Sequence, residues 1–427
     1  MIALFIILGL IGMLALSWWR LPWAVAVVAA LLPTYLLRFE LLTIPTTFLE
    51  MSIYIASIVW LYKLLIKKIR WPSLPKFWYW AVALWTLIGL FSAYISPDNQ
   101  AGLGLWKAYF FDPAIFFIVF ITTITTGRQV RQLLWLVGAS ALVVSLVALW
   151  QGLGMIASPE PWISQVPPRV SSVFEYPNAL GLFLAPIIAL FLPFALHRIT
   201  RESVRKYRLA WGVMLFGALA VWLAVSQGAW LGLLAAFIVI ALFSHQRKWL
   251  FILLGVFLLA VMVIPASRQN IIDLATFKDT SGDVRLRLWQ GTIDMLKDHL
   301  IVGAGLAGFP ELYDIYRDAA HVELSLYPHN IFLNFWATMG LAGLIGFIVI
   351  VTRYFIDLGR KITKDNDPTS YFLKMGLIAA MVAIIFHGLV DVPYFKNDLA
   401  VLFWLLIGLR VVIKRIKTES GSDQAVK

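Results

Sequence analysis

His329 stands in the tetrapeptide YPHN, after a proline and at the edge of a long apolar run, where an imidazole can take up or release a proton near neutral pH. That position suits a catalytic proton transfer, and taken alone it suits a helix-terminal hydrogen bond to the backbone equally well. Lys107, Arg169 and Arg285 lie on three separate stretches at about the same outer membrane depth. Together they suit a polyanion held by guanidinium forks and an ammonium. Singly, each would serve by snorkelling to lipid headgroups. In HGLVD, His387 and Asp391 fall one turn apart on one expected helix. An ionisable pair inside a span is a functional candidate by default, and it is also a natural hydrogen-bond anchor between helices.

Metal and nucleotide chemistry find little support. No HExxH or DxD-like pair falls on the expected outer side, and GAGLAG and GLAGFP lack the strand-to-helix setting of a phosphate-binding loop. Asp279, Asp283, Asp294 and Asp298 suit capping or solvating a loop helix. His299 and His321 fit the same polar loop, whereas His197 and His245 fit the opposite membrane interface. A reaction without metal or other cofactor is the simpler expectation.

The elements that must position these groups are membrane helices. Of the 427 residues 61% are hydrophobic and 14% charged, which excludes an ordinary soluble domain. Runs such as 249–264 and 330–351 are about long enough to cross a hydrocarbon layer of roughly 30 Å. A spanning segment must satisfy its own backbone polar groups, so these runs read as helices. The expected fold class is therefore all-α: a polytopic membrane protein with about 12–13 transmembrane helices and one long helical extracytoplasmic loop. The first two runs, 1–17 and 22–37, are separated by little more than Arg20. The first has no basic leader or cleavage pattern and reads as a retained span. Cysteine is absent, which removes disulfide and thiolate chemistry.

The net charge of +12 is explained by topology, since most Lys and Arg gather in alternate linkers. Those linkers and the C-terminus are expected to be cytoplasmic, drawn to the headgroups of membrane lipids, with no nucleic-acid partner. The expected organisation is N-terminal transmembrane helices over 1–264 with an external lid at 151–177, a catalytic loop at 265–329, C-terminal helices over 330–417 and a disordered tail at 418–427. Pro177 and Asn178 are expected to open the helix after the lid.

Within the polar island, Leu286, Trp289, Ile293 and Leu296 recur at helical spacing, giving an expected amphipathic helix over 284–298 capped by Asp283. Arg285 falls at the edge of that stripe and Arg287 on the solvated side. A second helix is expected over Phe309–Ala320. Outward cations outside the trio include Arg268, Lys278 and Lys396.

These residues resemble the O-antigen ligase and O-antigen polymerase superfamily of bacterial membrane glycosyltransferases. The family pattern of an Arg four residues before a Trp, a DHP-L-x-G-x-G-x-x-F run, a Tyr-rich stretch and HN entering a glycine-marked span reads here as Arg285 and Trp289, DHLIVGAGLAGF, Tyr313 and Tyr316, Tyr327 with His329 and Asn330, and MGLAGLIG. RVSSVFEYPN is similar to the family's R-x-S-x-x-F-x-x-P-N element and carries Arg169. Two positions depart from the pattern. Leu300 replaces a proline, and SQGA puts Gln227 where SRGA carries a phosphate-contacting arginine, a loss that Arg169 or Arg287 would offset. The resemblance implies an undecaprenyl-pyrophosphate-linked glycan donor and a lipid or glycan acceptor, meeting on the outer face of the cytoplasmic membrane. It implies that His329 is the general base on the acceptor hydroxyl and that Arg285, Arg169 and Lys107 hold the pyrophosphate. Ligase and polymerase share the donor half of such a site. A transporter of lipid-linked oligosaccharide would instead gather polar residues at mid-membrane.

Overall fold

A computed structural model describes residues 2–41, 43–69, 71, 75–196, 205–244, 246–263, 280–318, 326–359 and 368–425. The expectations for Asp279, His197, His245, His321, Arg268 and Lys278 lie outside them. The described chain is almost wholly helical, with one two-stranded hairpin, β1 (Arg38–Leu41) and β2 (Ile44–Thr47). Among the described residues, eight helical stretches are long and apolar enough to cross a membrane. In order these comprise α1 (Ile2–Ala30), α2 (Phe48–Leu65), α3 (Lys76–Tyr94), the pair α4 (Asn99–Trp106) and α5 (Asp112–Thr123) joined through a π turn, α6 (Gly127–Gly152), α7 (Pro177–Ala195), α13 (Ile331–Gly359) and α14 (Pro368–His387). The shorter apolar helices α8 (Arg208–Leu223), α9 (Gln227–Phe243) and α10 (Arg247–Val263) lie between α7 and the polar island. The island holds α11 (Thr280–Asp298) and α12 (Phe309–Tyr313), and α15 (Asn397–Ala425) ends the chain.

The centre of the bundle is α7, with 94% of its most apolar window buried, whereas α1 buries only 17% of its own and shows most of its surface outward. Pro177 opens α7 at a position where a missing N–H costs nothing. The expected spans 1–17 and 22–37 prove to be one element broken at Arg20, which has extended rather than helical dihedrals ahead of Pro22. The piece after the break is too short to span alone. At the other end, α15 continues to Ala425 through the polar stretch expected to be disordered, because extending a formed helix needs no new nucleus.

The island is docked on the bundle through the GAGLAG turn. Gly303 and Gly305 take positive φ values of 67° and 82°, and a Cβ on Gly303 would lie 2.4 Å from the Ala337 carbonyl oxygen. The facing helix α13 is itself broken at Gly340, with φ 65°, where a side chain would collide with the Ile301 carbonyl. Backbone bonds from Ala304 to Ala337 (2.6 Å) and from Leu341 to Ile301 (3.0 Å) close that seam. Ala307 N–H donates to Ser96 Oγ at 3.2 Å, tying the same turn to the end of α3. The motif thus fixes where the chain leaving the C-terminal end of α11 meets the bundle.

Three local expectations change. The buried face of α11 is Leu288, Thr292, Met295 and Leu296, while Leu286 and Ile293 are exposed. In a membrane protein an apolar side chain need not face the protein core, so composition gave the stripe the wrong phase. Asp283 lies inside α11 and pairs with Arg287 instead of capping it. The second helix stops at Tyr313 because the chain turns to place Tyr316, whose hydroxyl donates to Asp298 at 2.8 Å.

Candidate functional site

His329 sits between α11 and α13 in a left-handed backbone conformation, φ 47°, that a non-glycine residue adopts at a cost of roughly 1–3 kcal/mol when the surroundings impose it. Its neighbours supply that constraint. Trp289 Nε1–H donates to the Pro328 carbonyl at 2.9 Å, so α11 grips the residue just before the histidine. Asn330 caps α13, its Oδ1 accepting from Phe332 and Leu333 N–H while its amide donates to Leu389 O. Ile331 N–H donates to Gly388 O at 2.7 Å, joining the start of α13 to the end of α14.

These bonds bring His329 Nδ1 to 3.4 Å from Asp391 Oδ1. The helix-borne His387–Asp391 pair expected from spacing is therefore replaced. Helix α14 ends at His387, Gly388 turns the chain, and Asp391 lies beyond the helix with His329 as its partner. Burial pushes the Asp391 carboxyl up, but the bond from His329 and the charges of His329 and His387 outweigh it and hold the group below the usual carboxylate range. An ionised carboxylate on Nδ1 fixes the imidazole and leaves Nε2 to accept a proton. Tyr327 packs its ring against His329 with centroids 4.6 Å apart.

The cationic half is built from different elements. Arg285 shares the buried face of α11 with Leu288 and Thr292, and its Nη1 reaches Gln227 Oε1 at 3.5 Å. Arg169 donates from Nε to Ala224 O at the end of α8 and from Nη2 to Asn178 Oδ1, both at 2.9 Å, and lies over Trp162. Burial and the adjoining Arg285 charge both lower its hold on a proton. Two guanidiniums are thus neighbours, and among the described residues neither has a carboxylate partner. The two halves meet at Gly228: a Cβ there would lie 2.4 Å from the His387 ring, beside Gln227 on one side and Asp391 on the other. His387 is buried, and its Nδ1 has no partner among the described residues.

Two expected anion ligands are placed otherwise. Arg287 binds Asp283 at 2.9 Å and Asp318 at 2.6 Å on the exposed side of α11. Lys107 binds Glu50 at 2.9 Å and the Pro45 carbonyl at 3.3 Å, beside the hairpin. Both charges are already matched by carboxylates. Lys396 and Tyr176, which spacing did not single out for the site, stand next to it instead. Lys396 Nζ donates to Tyr35 Oη at 2.9 Å and lies 4.4 Å from the Tyr176 ring centre. Among the described residues no group of three His, Asp or Glu side chains is placed to hold a metal ion.

Residues 212–348 match the family model described as O-Antigen ligase. These residues are similar to the O-antigen ligase family. The O-antigen ligase segment runs from within α8 to within α13, and so contains Gln227, Arg285, Trp289, Tyr327, His329 and Asn330; Lys107, Arg169, His387 and Asp391 lie outside it. Over 142 residues the chain is also 34% identical to the exopolysaccharide production protein ExoQ of Rhizobium meliloti (strain 1021), covering 31% of this chain and 33% of that protein. The match thus spans about a third of the relative's length.

Proposed function

We propose that this membrane protein is a glycosyltransferase of polysaccharide biosynthesis that moves a glycan from an undecaprenyl-pyrophosphate donor to an acceptor hydroxyl on the outer face of the cytoplasmic membrane. The observation that carries this reading is the meeting, around Gly228, of an imidazole–carboxylate pair with two arginines that have no carboxylate partner among the described residues. The O-antigen ligase segment supports the same chemistry.

In this reading His329 Nε2 removes the acceptor hydroxyl proton as the oxygen attacks the anomeric carbon, a contribution of about 10² to 10⁴ in rate. Asp391 holds the ring and balances the imidazolium that forms. The bond from the anomeric carbon to the pyrophosphate oxygen breaks, and Arg285 and Arg169 stabilise the charge on the departing lipid pyrophosphate. Arg285 is the freer of the two, since Arg169 spends two donors on the protein. The name of the relative ExoQ, an exopolysaccharide production protein, supports a role in polysaccharide biosynthesis.

Purified protein incubated with a lipid-pyrophosphate glycan and competing acceptors is expected to consume donor and release lipid pyrophosphate. A longer lipid-linked product identifies the polymerase form, and a glycan on a different acceptor identifies the ligase form. Donor that crosses a sealed vesicle unchanged would replace both with transport.

A further inference from the structure

The outward stripe of α6 runs on past the end of the helix. Val143, Leu146 and Trp150 are exposed on one helix face, and Leu153, three residues after Trp150, extends that stripe beyond the last helical residue, Gly152. Gly154 then turns the chain through a positive φ of 73°, and Met155 and Ile156 continue the apolar surface, with Met155 70% exposed. Arg131 is the last charge before this segment, and residues 132–159 carry none. From Arg131 to Gly152 the helix climbs about 30 Å, the depth of one hydrocarbon layer. The turn 153–156 therefore lies at the far boundary of that layer. Its backbone suits the setting. The N–H groups of Leu153, Gly154, Met155 and Ile156 all donate to the carbonyls of Leu149, Trp150 or Gln151 at 2.9–3.4 Å, so none of these donors depends on water. The end of α8 stands alongside: a Cβ on Gly152 would lie 2.6 Å from Leu223, next to exposed Trp222, which stacks on Trp230 at 5.4 Å. With Trp150 these rings make the kind of aromatic girdle that marks a membrane–water interface.

We propose that Leu153–Ile156 is a membrane foot, whose Leu153, Met155 and Ile156 side chains enter the interfacial layer of the leaflet at which α6 ends. Lipid is the partner of this face because its surface is continuous with the stripe that α6 turns outward along its span. The foot also bears on the loop that follows. Gln151 Oε1 accepts from the N–H groups of Ser171 and Ser172 at 3.2 and 2.7 Å, and its amide donates to Ser172 O at 3.0 Å. The chain that carries Arg169 is thus clamped to the same helix end, at a fixed height above that leaflet.

The chain has no cysteine, so single-cysteine variants take a spin label without background. Met155→Cys, Val143→Cys and Asp294→Cys are reconstituted in phosphatidylcholine–phosphatidylglycerol nanodiscs. Power-saturation electron paramagnetic resonance then measures how often each label collides with oxygen, which concentrates in lipid, and with a water-soluble nickel chelate. The label at Val143 reports the membrane interior, and the label at Asp294, on the exposed charged side of α11, reports water. At Met155 the oxygen-to-nickel ratio is expected to be several-fold above that at Asp294 and below that at Val143. Ile156→Cys reads the same face should labelled Met155→Cys fail to insert. A ratio equal to that at Asp294 would overturn the foot. Exclusion of both collision partners would also overturn it, since protein would then cover the face, and dipolar coupling between labels would identify that protein as a second copy of the chain. No transfer assay enters, so the result stands apart from the reading of His329 as general base.

Discussion

The two ends of α13 carry cations in opposite states. At the far end, Arg410 binds Asp357 at 2.7 Å and Arg353 approaches the same carboxylate at 3.2 Å, with Arg353 over Phe77 and Arg410 over Trp78. At the near end, roughly 40 Å of helix away, Arg285 and Arg169 lie near enough to feel each other's charge and have only amide and carbonyl partners among the described residues. A buried arginine tied to a carboxylate is already neutralised and serves packing. Two adjacent arginines held by neutral groups keep a field that an anion can complete. Lys107 with Glu50 and Arg287 with its two aspartates belong to the first kind, although their sequence settings resemble those of the second.

The largest effect that would sharpen this contrast is expected at the base. His329→Ala should lower transfer by about 10² to 10⁴ and leave insertion intact, and Asp391→Asn should fall in the same range because the ring loses its orienting carboxylate. A radiolabelled-glycan transfer assay checks both. Next, Arg285→Ala should cost about 10² to 10³ in turnover, the scale of losing one donor to a developing negative charge. Equal losses in Arg285→Ala and Arg287→Ala would break the distinction between the free and the matched cation. At the far end the expected loss is stability: Arg410→Met takes the closer of two cations from the buried Asp357 carboxylate and leaves Arg353 as its partner, at a cost of about 1.5–3 kcal/mol. Thermal unfolding in detergent should register it, while the folded fraction turns over normally.

A smaller effect separates the two ends by pH. The native Asp391 carboxyl is held below its unfolded value, about 3.9, so its contribution to stability is complete above that value and lost as pH falls through the depressed native one. The stability gap between native protein and Asp391→Asn is therefore expected to be constant near neutrality and to narrow only in acid, as unfolding curves against pH would reveal. Smallest of all, Arg287→Ala should stay within about threefold of native activity, since its exposed pairs contribute little.

Much of the near end was legible in the sequence. Helical phase separated Arg285 from Arg287 even though the stripe used to set that phase was wrong, because Arg285 sits three residues before buried Leu288 as well as four before Trp289. The role of Pro177 was local and followed from residue type. The His329–Asp391 pair was not legible. It joins positions across two membrane helices, and spacing on one helix pointed to His387 instead. Lys396 stood out only as one of several outward cations for the same reason: its enclosure by Tyr35 and Tyr176 exists only once three distant segments meet. Composition could not show that Lys107 would find Glu50, because a matched and an unmatched lysine look alike in sequence.

The division of labour between the two halves is tested most directly by measuring donor binding and turnover together, on purified native protein, His329→Ala and Arg285→Ala, with a lipid-pyrophosphate glycan and a hydroxyl acceptor. His329→Ala is expected to bind donor with near-native affinity and to form product about 10² to 10⁴ more slowly than the native protein, while Arg285→Ala binds donor weakly. Product formed at the native rate by His329→Ala would contradict the central claim.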